Sequence, residues 1–260
     1  MREIIRKVPI PTAGVALGLA ALGNLLQPYT EIVHIVCGIL SLVLIAMLGA
    51  KIALFPDMIR DDLHNSIMAS VSATLFMTLM QLAGYLAPFA YIPAFALWSA
   101  AVVAHLALMG WFTARFISHF KLHEVFPTYF ICYVGIVVAS VTSPTFGMEA
   151  VGHLLFWFGF ACYVVLLGLV TYRYMKHEIP ESARPLFCIY TAPMSLSLVG
   201  YLATAPQPNL VFVLAMLVLA QALFAVVLSR LPVLLRLRFY PSYAAMTFPF
   251  VITATALGKA

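Results

Sequence analysis

The chain has 260 residues, of which 64% are hydrophobic and 9% are charged, and its mean hydropathy is +1.04. This composition excludes a soluble domain of any size and predicts one transmembrane domain over residues 1–260. The formal net charge of +5 comes from short basic stretches, which favours contact with anionic membrane lipids and argues against a nucleic-acid partner.

The distribution of charge gives the number of membrane spans. Thirteen of the fourteen Lys and Arg residues lie in the stretches 2–7, 51–60, 115–121, 173–184 and 230–238. The apolar gaps between charges fit helices of about 20 residues, the length that crosses a bilayer, and two longer gaps are each broken by a proline-containing turn. The sequence therefore predicts nine spans, at 11–26, 32–54, 65–86, 92–118, 127–144, 150–173, 185–204, 209–230 and 241–258.

The basic stretches also predict the orientation. Loops rich in Lys and Arg are retained on the cytoplasmic side, so we expect a multi-pass protein of the cell (inner or plasma) membrane with a cytoplasmic N-terminus. A signal peptide is the alternative for the first apolar stretch. The strict alternation of the basic loops, with that stretch counted as a span, favours the span.

Odd-numbered and even-numbered spans differ in composition. The five odd spans carry eighteen Ser and Thr residues, whereas the even spans carry six and are otherwise rich in Leu, Val, Phe and Trp. Lipid favours bulky apolar surface and disfavours unpaired polar groups. The pattern predicts that the even helices face lipid and that the odd helices face the interior.

The odd spans begin at a spacing of roughly sixty residues, near Pro11, Asn65, Pro127, Pro185 and Pro241. A repeat of this size indicates an array of helical hairpins around an axis. Pro193 and Pro249 lie midway along the seventh and ninth spans, where each proline should kink its helix. These features predict an all-α polytopic fold with a central passage lined by the odd helices. The candidate lining or kink residues are Gly14, Gly18, Ser70, Thr74, Gly135, Ser140, Pro193, Ser195, Thr247 and Pro249.

Few residues suggest chemistry inside the membrane. No Asp, Glu, Lys or Arg lies deep in a predicted span, which removes the usual signs of a proton relay. His105, on the fourth span, is either hydrogen-bonded to a neighbour or involved in proton coupling. The four cysteines are well separated, so neither a disulfide framework nor a metal site is predicted.

Four segments resemble the tellurite-resistance/dicarboxylate transporter family, which includes the slow anion channels of plant guard cells: 14–22, 126–130, 192–197 and, most specifically, 243–250. The resemblance implies five helical hairpins in a quasi-five-fold ring, with the odd helices around a pore and a homotrimeric assembly. It also implies that Phe248, at the position of the family's blocking phenylalanine, is the pore gate. The chain departs from the family in having Ala16 where a proline is common. It also has nine spans rather than ten, so that a tenth helix was lost from this sequence or the outer ring is incomplete.

The function expected from these observations is an anion channel or passive anion transporter with a hydrophobic aromatic gate, without cofactors and not an enzyme. The substrates implied are small inorganic anions or dicarboxylates. One alternative is a proton-coupled C4-dicarboxylate carrier or a sulfite or tellurite exporter. Another is a haem- or quinone-binding membrane enzyme, which needs a second histidine facing His105 at the same depth.

Overall fold

The structure, a computed structural model, describes residues 2–260, and the regular secondary structure of this part of the chain is helical. The α-helices are α1 (Arg2–Arg6), α2 (Thr12–Leu26), α3 (Glu31–Leu54), α4 (Pro56–Asp62), α5 (Ser66–Val71), α6 (Ala73–Leu86), α7 (Tyr91–Phe112), α8 (Thr128–Tyr133), α9 (Val137–Thr142), α10 (Glu149–Lys176), α11 (Ala192–Thr204), α12 (Leu210–Leu234) and α13 (Phe248–Lys259).

Apart from the short helices α1 and α4, these helices form nine helical segments, numbered here in chain order. The even segments are α3, α7, α10 and α12. The odd segments are α2; α5 with α6; α8 with α9 and a 3₁₀ turn at Ser143–Phe146; a 3₁₀ helix at Glu181–Thr191 with α11; and a 3₁₀ helix at Pro241–Met246 with α13. Six segments, the second to the fourth and the sixth to the eighth, are long and apolar enough to cross a bilayer. The chain is therefore a multi-pass membrane protein.

The even and odd segments differ in whether the helix is continuous along its length. The even segments are unbroken α-helices, apart from a π-helical turn at Thr113–Ile117 that prolongs α7. From the third onward, every odd segment is interrupted by turn residues or changes helix type partway along. Broken backbone leaves carbonyl and N–H groups that lipid cannot satisfy, so such segments belong inside the protein.

Burial follows the same division. In the most apolar stretch of each even segment, 22% to 33% of the residues are buried inside the protein, against 61% in the third segment and 83% in the seventh. The even segments expose apolar side chains, including Ile39 on α3, Val165 on α10 and Val218 on α12. In these stretches the third and seventh segments are thus more buried than the even segments.

The inner helices pack in a cyclic order. Helix α2 contacts α6, α6 contacts α9, α9 contacts α11, α11 contacts α13, and α13 contacts α2. The outer helices lie against pairs of inner ones: α3 on α2 and α6, α10 on α9 and α11, and α12 on α11 and α13.

The two interior prolines differ from the sequence prediction. Pro193 and Pro249 do not kink a continuous helix; each is the second residue of an α-helix that follows a 3₁₀ helix. The first turn of an α-helix has no intrahelical partner for its N–H groups, so a proline fits there without loss of a hydrogen bond. The prolines therefore mark where new helices begin in the middle of the seventh and ninth segments.

Candidate functional site

A cavity of about 250 Å³ lies between the odd segments. All five odd segments contribute to its wall, and within residues 2–260 no lining residue comes from an even segment. The sequence-predicted residues on this wall are Gly14, Thr74, Gly135, Pro193, Phe248 and Pro249. The cyclic packing of the inner helices therefore encloses a space that the outer helices do not reach.

The cavity extends from one end of the odd segments to about their middle. Asn65, Ser182, Tyr240 and Ser242 line the end at which these segments begin, beside the basic loops. The wall deeper along the same segments is mainly apolar and includes Leu17, Met77, Val134 and Leu196. Of the residues that the structure describes, those on the wall include no Asp, Glu, Lys, Arg or His.

The rim at the basic end is held by hydrogen bonds between the beginnings of two 3₁₀ helices, Glu181–Thr191 and Pro241–Met246. The Tyr240 hydroxyl donates to Oε1 of Glu181 at 2.9 Å, and Ser242 Oγ donates to the Ser182 carbonyl at 2.6 Å. The hydrogen bond to the Glu181 carboxylate raises the pKa of Tyr240, so the phenol remains protonated and keeps donating. These bonds tie the start of the seventh segment to the start of the ninth.

Phe248 lies deep in the cavity, at the break in the ninth segment. It is the first residue of α13 and its side chain is buried. Thr247, just before it, donates from Oγ1 to the carbonyls of Ala244 at 2.7 Å and Gly14 at 3.1 Å. A side chain at Gly18 would come within 2.9 Å of the Phe248 backbone nitrogen. Direct packing of α2 against the break therefore holds the backbone at Thr247 and Phe248 in place.

Four predicted lining hydroxyls, those of Thr247 and of the three serines described next, bond to protein groups and are absent from the cavity wall. Ser70 Oγ donates to the Ser66 carbonyl at 2.6 Å and lies 2.8 Å from Thr128 Oγ1 of the fifth segment. Ser195 Oγ likewise donates to its own helix and lies 3.1 Å from Thr253 Oγ1 of the ninth segment.

Ser140 Oγ reaches the Gly152 carbonyl of the sixth segment at 2.6 Å. These contacts join neighbouring helices, and Gly18 and Thr247 serve the same purpose between α2 and the ninth segment. Inside the membrane domain, hydroxyls that bond within and between helices need no water.

His105 lies directly behind the cavity wall. Its Nε2 is 2.9 Å from the Cys132 carbonyl, so Nε2 donates and Nδ1 carries no proton in the neutral ring; Nδ1 has no protein partner in the described chain. A side chain at Gly135 would come within 3.2 Å of the His105 ring and 2.7 Å of Met77 Sδ. The fifth segment breaks at Gly135, and His105 binds one of the carbonyls next to that break. The interpretation of His105 as hydrogen-bonded to a neighbour is confirmed.

Sequence reasoning did not identify the apolar part of the wall or the rim. Leu17, Met77 and Leu196 carry no signal that separates a cavity wall from ordinary packing. Tyr240 and Ser242 lie next to Pro241, the recurrent proline at the start of the ninth segment. This proline is the sequence feature from which the two rim residues could have been identified. Within residues 2–260, no three His, Cys, Asp or Glu side chains come close enough to hold a metal ion.

The chain matches a known protein family. A family model described as "SLAC1: Voltage-dependent anion channel" matches residues 7–259, nearly the whole chain. No curated protein matches the chain.

Proposed function

Because the chain belongs to the SLAC1 family of voltage-dependent anion channels, we propose that small anions cross the membrane through the cavity between its odd segments, with Phe248 as the gate. The family is one of channels and transporters rather than enzymes, which sets the haem or quinone alternative aside. The observation that carries the proposal is the cavity itself, which draws its wall from all five odd segments and has Phe248 at depth.

The proposed topology follows from the charges and the helix lengths. We propose that all nine segments cross the bilayer, with the basic loops and the N-terminus in the cytoplasm. The cavity then opens toward the cytoplasm, where the basic loops raise the local concentration of anions. The exposed apolar faces of the even helices are available to lipid or to neighbouring subunits of a trimer.

The chemistry of the wall favours passive conduction. Groups that bind an anion tightly would slow its release, and a wall of small and apolar residues binds weakly. Such a wall offers few polar groups in place of the water molecules that an anion loses when it enters. Monovalent anions with modest hydration, such as chloride and nitrate, are therefore the favoured substrates. A dicarboxylate carrier is disfavoured because none of the wall residues described is an Arg able to form a paired contact with a carboxylate.

An aromatic ring at a narrow apolar point closes a channel by excluding water. Replacing Phe248 with Ala should remove that barrier, and we expect anion flux into proteoliposomes to rise by about tenfold or more, equivalent to roughly 1.4 kcal/mol. Phe250 supplies the matched control, because its ring packs on Phe224 of the eighth segment at 5.8 Å between centroids and it does not line the cavity.

The experiment compares chloride and nitrate flux through wild type, Phe248→Ala and Phe250→Ala at equal protein density. Unchanged flux in correctly folded Phe248→Ala, or an equal rise in Phe250→Ala, would refute the gate. A cation-selective reversal potential in the wild type would refute anion conduction itself.

A further inference from the structure

Arg173, in the last turn of α10, is a buried cation near the basic end of the molecule. Its side chain is 2% exposed, and its guanidinium carbon lies 4.3 Å from the centroid of the Phe126 ring. One nitrogen, Nη2, donates to the His123 carbonyl at 3.2 Å. The other two, Nε and Nη1, have no hydrogen-bond partner within residues 2–260.

No carboxylate neutralises this charge. Across the described chain, no Asp or Glu oxygen forms an ion pair with Arg173. Glu124, the one acidic residue of the adjoining loop at 118–126, is paired instead with Lys121 at 3.1 Å. Burying a charge without a counter-ion is unfavourable. A buried arginine that has no ion-pair partner therefore indicates a functional role.

Its position places Arg173 behind the wall of the cavity. Phe126, on which the guanidinium stacks, lies four residues before Phe130, which is a wall residue. On the other side, Tyr174 packs against Tyr190 at 5.8 Å between ring centroids, and Tyr190 packs against Phe130 at 5.6 Å. A chain of packed aromatic side chains therefore connects the surroundings of Arg173 to Phe130 on the cavity wall.

We propose that Arg173 is a specificity-determining residue, whose unneutralised charge makes the basic end of the cavity favour anions over cations without touching them. This inference rests on the proposed conduction of anions through the cavity. A unit charge about 10 Å from an ion, at the effective dielectric constant of about 20 that suits protein sites, changes the local ion concentration by roughly tenfold. Salt screens such a buried charge much less than it screens the exposed arginines of the loops.

The test is the reversal potential of the channel under a potassium chloride gradient, which gives the chloride-to-potassium permeability ratio. Arg173→Met keeps an unbranched apolar stem and removes the charge, and we expect it to lower the ratio by at least about threefold. Arg173→Lys keeps the charge and should stay close to wild type. Arg115→Met is the matched control, because Arg115 is exposed near the same end of the molecule and forms no ion pair in the described structure.

If Arg173→Met does not fold, a measurement on the wild type at high salt still tests the inference. At about 1 M salt the Debye length is roughly 3 Å, so selectivity from exposed loops should collapse while selectivity from Arg173 persists. Collapse of wild-type selectivity at high salt would overturn the inference. An unchanged ratio in folded Arg173→Met, or equal losses in the Met and Lys variants, would overturn it too.

The proposed anion conduction and the role of Arg173 can be refuted separately. A wild-type channel without anion selectivity at any salt concentration would refute the proposed function. A selective wild type whose selectivity survives removal of Arg173 would refute only the role of Arg173.

Discussion

The contact between α2 and the break in the ninth segment offers a sharp test of the packing around Phe248. A Cβ added at Gly18 would lie 2.8 Å from Thr247 Cβ and 2.9 Å from the Phe248 backbone nitrogen. Ordinary van der Waals contact begins at 3.4 Å, so the first distance is short by about 0.6 Å. Because both partners are rigid parts of the chain, α2 and α13 must separate to make room. At Gly14, one turn earlier on the same helix, the nearest atom would be Ala244 Cβ at 3.7 Å, which is ordinary contact.

These distances predict opposite effects for two identical substitutions. Replacing Gly with Ala within a helix stabilises the helix by up to about 1 kcal/mol, and this gain applies to both sites. Overpacking in a tight contact costs about 1–3 kcal/mol, and this cost applies only to Gly18→Ala. Gly18→Ala should therefore be less stable than Gly14→Ala by about 1–3 kcal/mol. Unfolding by SDS in mixed micelles, followed by tryptophan fluorescence, measures this difference. Equal unfolding midpoints for the two variants would contradict the close approach of α2 to Thr247.

Three further predictions concern buried polar side chains. Lys51 is buried and its Nζ donates to the Val8 carbonyl at 2.7 Å, so Lys51→Met should lower the free energy of unfolding by about 1–3 kcal/mol; a stability equal to wild type would refute the contact. Trp98 Nε1 donates to Thr142 Oγ1 at 2.8 Å, so Thr142→Val should cost about 1–3 kcal/mol in the same unfolding assay while Thr142→Ser stays near wild type; equal losses would argue against the bond. Buried His105 has one hydrogen-bonded nitrogen and no acceptor for a second proton in the described structure, so His105→Gln should leave the pH dependence of anion flux between about pH 5 and 8 unchanged. A profile that flattens in this variant would instead support proton coupling.

The charge pattern located the helices because membrane helices end where water begins. The span predicted at 32–54 corresponds to α3 (Glu31–Leu54), and the span predicted at 65–86 to α5 and α6. The eighth segment continues to Leu234, past the predicted end at residue 230. An arginine near a helix end can extend its side chain to the interface, so a charge marks the membrane boundary better than it marks the last helical residue.

The breaks in the inner helices were harder to predict. Pro193 and Pro249 indicated that two segments are irregular, but a proline in the middle of an apolar run is compatible with a kink and with a new helix start. The break in the fifth segment contains no proline. It occurs at Gly135, where a side chain would collide with the Ile131 carbonyl four residues earlier and with Met77 of the third segment, and only folding brings Met77 there.

The hydroxyl residues show where composition stops predicting function. Their enrichment predicts which helices lie inside, because both a water-filled passage and a helix contact favour Ser and Thr over lipid-facing positions. It could not decide between those two uses. A hydroxyl that donates to the carbonyl four residues earlier, as Ser195 does, and also meets a hydroxyl on the next helix has used its hydrogen-bonding capacity without water.

The deeper part of the wall is then left mainly to apolar side chains, and this bears on how the proposed gate works. A ring such as that of Phe248 closes a passage only where the surrounding surface does not hold water by itself. Leu17, Met77 and Leu196, which line the cavity around the same depth, provide such a surface, whereas a collar of free hydroxyls would keep the narrow point wet. The hydroxyls bonded between helices hold the inner segments together, and the apolar wall around Phe248 is the surface that the proposed aromatic gate requires.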